Sequence, residues 1–107
     1  MSTFDEREKG FERKYAHDSE LEFRANARRN KLLGLWAAQK MGLSGAEADA
    51  YAKQVVVADM QEAGEEDVYR KVKADLDAKA TGLSEHQIRR EMEELLIAAR
   101  KQIQSEG

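Results

Sequence analysis

The sequence predicts an all-α protein, a four-helix bundle preceded by a flexible, partly helical N-terminal arm. Three observations carry that expectation. The 107 residues include no proline, and Ala, Leu, Glu, Lys and Arg, which enter helices at the lowest cost, dominate the chain. Apolar residues recur at helical rather than alternating spacing. Short glycine and serine signals cut the periodic stretches apart, each reading as a helix stop followed at once by a helix start.

The first eighteen residues form the arm. Phe4, Phe11 and Tyr15 stand at i, i+7 and i+11, one face of a 3.6-residue helix. Charged residues fill the intervals, and Gly10 lowers helix stability by about 1 kcal/mol relative to alanine. An isolated helix here buries too little apolar surface to offset the entropy of ordering it. The expected free state is a nascent helix, and the expected bound state a helix laid in a partner's groove. A second reading, in which the rings fold back as core, stays open on the residues alone.

Ser19 with Glu22 forms a capping box and predicts the start of the first stable helix, over about 19–41. Its apolar set is Leu21, Ala25, Leu32, Leu35 and Trp36. Gly42-Leu43-Ser44 ends it, and Ser44 with Glu47 opens a second helix over about 45–63, with Ala48, Tyr51, Ala52, Val55 and Met60 inward. The run Val55-Val56-Val57 lowers helix propensity slightly without reversing the period. Gly64, followed by acidic Glu65, Glu66 and Asp67, predicts a third helix over about 66–80 with Val68, Val72 and Leu76 inward. Gly82-Leu83-Ser84 and the box Ser84 to Gln87 begin the fourth, over about 85–104. Leu83 and Ile88 form a hydrophobic staple there, and Met92, Leu95, Leu96, Ala99 and Ile103 continue the stripe. The expected organisation is an arm, 1–18, and one bundle, 19–107, since a chain of this length supports a single modest core.

Composition excludes several functions. No cysteine is present, so there is no disulfide or thiolate chemistry. No apolar run has membrane-spanning length, and the charged start lacks the apolar core of a signal peptide, so the expectation is a cytoplasmic protein. The formal net charge of −3 makes no general case for nucleic acid. His17 and His86 are the two histidines, and neither lies in a ligand or nucleophile motif. Glu91, Glu93 and Glu94 read as a solvated face rather than a metal site. An enzyme is not expected, nor a cofactor or metal. The one basic concentration is Arg24, Arg28, Arg29 and Lys31, with no acid among them, suited to an acidic protein surface or to a phosphate.

Two long blocks carry a resemblance. Met1 to Asp18 (MSTFDEREKGFERKYAHD) and Ala27 to Ala38 (ARRNKLLGLWAA), with the Gly42-Leu43-Ser44 junction and the acidic start of the third helix, resemble the zeta subunit of the alphaproteobacterial F1FO-ATP synthase. The resemblance implies a four-helix bundle that inhibits ATP hydrolysis by F1. It implies an arm that becomes helical in the catalytic alpha/beta interface near the central gamma stalk and blocks rotation in the hydrolytic direction. The partner-binding residues it implies are Phe4, Phe11 and Tyr15 as apolar anchors, with Arg7, Glu8, Lys9, Glu12, Arg13 and Lys14 setting register. Association with the inner membrane would be peripheral, through F1. The alternative is a regulatory helical module that binds ATP or ADP weakly, with Arg28, Arg29 and Lys31 facing phosphate.

Overall fold

The computed structural model describes the backbone of residues 2–61 and 65–106 and the side chains of residues 20–58 and 65–106. Four helices follow in chain order: α1 (Ser2–Lys40), α2 (Ala46–Gln61), α3 (Glu65–Ala78) and α4 (Glu85–Glu106). Each packs on the next, α4 closes back on α1, and α1 also touches α3; among the described residues α2 and α4 lie across the bundle from each other and do not meet. The expected all-α bundle is what forms.

The length of α1 departs from the sequence reading. Ser19 does not begin a helix; α1 runs unbroken from Ser2 to Lys40. The physical reason is that nothing in the sequence compels a break. Serine in a helix interior costs about half a kcal/mol, there is no proline, and Asp5 to Lys9 and Lys14 to Asp18 are opposite charges spaced i, i+4. At about 1.5 Å per residue, 39 residues span about 58 Å. That length sets the long dimension of the molecule, 64 Å against 24 and 22 Å.

The two Gly-Leu-Ser tripeptides do different work. At the first, Gly42 takes φ +82°. The Leu43 amide donates to the Ala38 carbonyl at 2.8 Å and the Gly42 amide to that of Gln39 at 3.1 Å, a Schellman ending. The next helix is capped not by Ser44 but one residue later: the Asp49 amide donates to the Gly45 carbonyl at 3.1 Å, and Gly45 sits at φ +58°. The extra glycine moves the start. At the second junction the capping box forms as expected. The Gln87 amide donates to Ser84 Oγ at 3.2 Å and the Ser84 amide to Gln87 Oε1 at 2.9 Å. Here, however, the stop comes before Gly82. Ala80 itself adopts φ 53°, with Thr81 N–H on the Leu76 carbonyl at 3.2 Å and Ala80 N–H on that of Asp77 at 3.0 Å. The Thr81 hydroxyl adds a bond to the Leu76 carbonyl at 3.1 Å. The break assigned to Gly64 and the inward place assigned to Met60 lie outside the described residues.

The core joins all four helices. Tyr51, Ala52 and Val55 of α2, Val68, Val72 and Leu76 of α3, and Ile88, Met92, Ala99 and Ile103 of α4 are buried as expected, and Leu83 packs against the core beside Ile88. On α1 the reading needs correction. Ala25 is buried, but Leu21, Leu32, Leu35 and Trp36 are half-buried, while Leu33, Ala37 and Ala38 are wholly enclosed. Two adjacent i, i+4 rows, 29-33-37 and 30-34-38, form the inward face. Because α1 is covered by α2 on one side and α4 on the other, its buried face is wider than a single stripe. Small residues make up the seam with α2. A Cβ at Gly34 would lie 2.6 Å from the Ala52 Cα, so the two backbones approach there as closely as a glycine allows.

Candidate partner-binding site

The nine arm residues expected to bind a partner, Phe4, Arg7, Glu8, Lys9, Phe11, Glu12, Arg13, Lys14 and Tyr15, all lie on the N-terminal half of α1. Their side chains, and that of His17, fall outside the described residues. What the backbone contributes is continuity. The segment expected to grip a partner and the segment that anchors the bundle belong to one helix, so residues at i, i+7 and i+11 share a face along it.

The four residues of the basic run do not act as one patch. Arg24 and Lys31 are exposed. Arg28 reaches α4, donating to Gln102 Oε1 at 2.7 Å and pairing with Glu106 at 2.8 Å. Arg29 turns inward and is 2% exposed. Its Nε donates to Asn30 Oδ1 at 2.7 Å and its Nη1 to Glu65 Oε1, at the start of α3, at 3.2 Å. Consecutive helical positions differ by about 100°, so residues 24, 28, 29 and 31 face both α4 and the interior as well as solvent. The burial of Arg29 and Asn30 was missed in the sequence. The available signal was the row Ala25-Arg29-Leu33-Ala37, apolar at every other member.

A cavity of about 380 Å³ opens beside these residues. Arg29, Asn30, Glu65, Glu22 and Arg100 supply its polar wall, and Val56 and Leu96 its apolar one. Among the described residues, Asn30 Nδ2 is a buried donor without a partner. A lone buried amide donor of this kind is costly, by about 1–3 kcal/mol.

Charged clamps tie the helices together around the core. Arg100 Nε donates to Glu22 at 3.1 Å, joining α4 to α1. That bond holds the Glu22 carboxyl below the usual carboxylate range, against a smaller upward push from desolvation. Arg89 pairs with Glu66 at 3.0 Å and Glu85 at 2.8 Å, and its guanidinium lies 3.9 Å from the centre of the Tyr69 ring. Between α2 and α3, the buried Tyr51 hydroxyl donates to Asp75 Oδ2 at 2.8 Å, and Lys71 reaches the same oxygen at 3.1 Å. Burial first, and the bond to Asp75 second, push the Tyr51 phenol far above its ordinary value. Among the described residues no group of histidines and carboxylates is arranged to hold a metal ion. No helix among them is long and apolar enough to cross a membrane.

Comparison with known proteins adds three findings. Residues 1–102 match the family described as ATPase inhibitor subunit zeta. A protein solved by solution NMR is 50% identical, with a TM-score of 0.71 over 81% of this chain and 99% of its own. No protein of curated function matches.

Proposed function

We propose, for a chain that belongs to the ATPase inhibitor subunit zeta family over residues 1–102, that its N-terminal segment is the element that stops the F1 motor. Membership implies inhibition of F1-ATPase and a regulatory role without catalysis of its own. The finer mechanism is our reading. The arm, residues 1–18, enters the catalytic alpha/beta interface as a helix, reaches the gamma stalk, and blocks rotation in the hydrolytic direction. Rotation driven the other way, during synthesis, expels it.

The observation that carries this reading is the single helix Ser2–Lys40, which joins arm and bundle without a break. A wedge works only if its outer end is held, and a continuous helix gives the arm a backbone connection to the core residues Leu33, Ala37 and Ala38. Phe4, Phe11 and Tyr15 are the anchors, because desolvated aromatics dominate most interfaces. Arg7, Glu8, Lys9, Glu12, Arg13 and Lys14 set register and encounter rate, with smaller individual effects.

Steady-state ATP hydrolysis by F1 from the same cell tests it, with the full chain and with a chain lacking residues 1–18. Inhibition by the first that vanishes with the second is the expected result. Equal inhibition by both refutes the arm as the site, and inhibition by neither refutes the function.

The alternative, weak adenine nucleotide binding, has one observation in its favour: the cavity beside buried Arg29 with the unpaired Asn30 amide. Arg28 is engaged with Gln102 and Glu106, so a phosphate would have to displace it. Titration of ATP or ADP while following the Asn30 side-chain amide resonances decides this reading; no saturable shift removes it.

A further inference from the structure

Helix α2 is apolar on more sides than the bundle covers. Ten of its sixteen residues are Ala, Val, Tyr or Met, and its six polar ones are spread round the helix rather than gathered on one face, so apolar surface is left on the side the bundle does not cover. Among the described residues α2 packs on α1 and α3 and does not meet α4. On its uncovered side Val57 is 51% exposed, and Val56 and Ala58 are half-buried. Two adjoining depressions of about 600 and 320 Å³ run along this strip and share Lys53 and Val57. Their walls carry Lys31, Lys53 and Lys71; Asp49 stands at one end, and Lys71 also contacts Gln54 and Asp75.

From this geometry we infer that the Val56–Ala58 strip between the lysines is a second docking surface, which receives an amphipathic helix of F1 with an apolar ridge flanked by carboxylates. The inference rests on the F1 reading above and adds a contact made by the bundle rather than by the arm. Charge complementarity selects the occupant. A second copy of this chain presenting the same strip would bring lysines against lysines, which is repulsive at short range. An anionic bilayer would find on this strip a single well-exposed valine and no aromatic side chain, a poor match to interfacial anchoring. A helix with acidic flanks satisfies both features, its ridge filling the groove while its carboxylates meet Lys31 and Lys53.

The consequence is a bivalent inhibitor. The bundle holds the arm near its cleft, so the arm's binding becomes intramolecular and gains from effective concentration.

The test is F1 inhibition by the full chain and by Val57→Glu and Lys53→Glu, each first shown by thermal unfolding to retain its fold. Lys53 is exposed, so its reversal tests the charge without disturbing the core. The expected result is a half-inhibiting concentration raised at least tenfold by V57E and severalfold by K53E. Maximal inhibition at saturation should stay unchanged, because the arm is intact. A photoreactive residue at position 57 should cross-link to an acidic helix of F1. Unaltered half-inhibiting concentrations, or a cross-link to a second copy or to lipid, overturn the docking surface while leaving the arm mechanism standing. No inhibition by the unaltered chain overturns the functional reading and this surface with it.

Discussion

Replacing Gly34 by alanine should destabilise the bundle even though alanine is the better helix former. In a helix interior Gly→Ala ordinarily gains about 1 kcal/mol. At position 34 the new Cβ would meet the Ala52 Cα at 2.6 Å, the Ala52 Cβ at 3.1 Å and Val55 Cγ2 at 3.3 Å. Non-bonded carbons prefer roughly 3.5–4.0 Å, so α1 and α2 must part by about 1 Å at their closest point. The first of those contacts is backbone and cannot rotate away. Overpacking of this kind costs about 1–3 kcal/mol, and a gap near 1 Å elsewhere in the seam also forfeits a quarter to a half of the dispersion energy of the contacts it opens. With the overpacking cost near its upper end and the propensity gain subtracted, the net loss is about 2 kcal/mol. For a domain of this size that lowers Tm by about 8–16 °C. Thermal and urea unfolding followed by circular dichroism measure it. Ala52→Gly in the same background should not rescue it, since it removes only the 3.1 Å contact, leaves the 2.6 Å backbone one and itself costs about 1 kcal/mol of helix propensity. A G34A protein as stable as the parent, or more so, would refute the close-approach argument.

Three further outcomes follow from the same structure. Ala80→Gly should raise stability by about 1 kcal/mol, because Ala80 occupies the left-handed region at φ 53°, where an L side chain costs about 1–2 kcal/mol; a Tm rise of roughly 4–8 °C is the readout. Arg29→Ala should cost about 2–3 kcal/mol in urea unfolding, since it empties the space of a 2% exposed side chain and leaves Asn30 Oδ1 without the donor that now satisfies it. Tyr51 should make the fold sensitive to alkali. Its phenol is raised in the folded state, so the stability it contributes is complete below the unfolded value near 10 and falls as pH rises above it, by about 1.4 kcal/mol per pH unit. Tyr51→Phe should remove that part of the slope in a series of urea titrations from pH 9 to 11; an identical slope in both proteins would contradict the assignment.

Much of this was legible in the chain. Helix number and order, and the approximate ends apart from the start of α1, follow from local chemistry, because a glycine in a left-handed ending and a serine cap act within five residues of themselves. The reciprocal bonds between Ser84 and Gln87 are such a case. The inward stripes of α3 and α4 were largely plain, since each of these helices buries one face and its period marks that face, although Tyr69 is buried beyond the expected set and Leu95 and Leu96 are only half-buried.

What the sequence concealed depended on neighbours distant along the chain. Leu33, Ala37 and Ala38 outrank Leu35 and Trp36 as core because α2 approaches over Gly34, and bulk alone pointed to the wrong row. Arg29 read as one of four surface cations until Glu65, 36 positions later, drew it inward. Ala80 ends α3 in the left-handed region two residues ahead of Gly82, which is itself left-handed at φ 76°, because α3 must stop there for Leu83 to enter the core. Residue type and spacing determine which segments are helical, since those forces are local. Which face of each helix is buried, and which charges are left free to meet a partner, is decided by tertiary packing, because burial is a property of the surfaces that come together and not of either one.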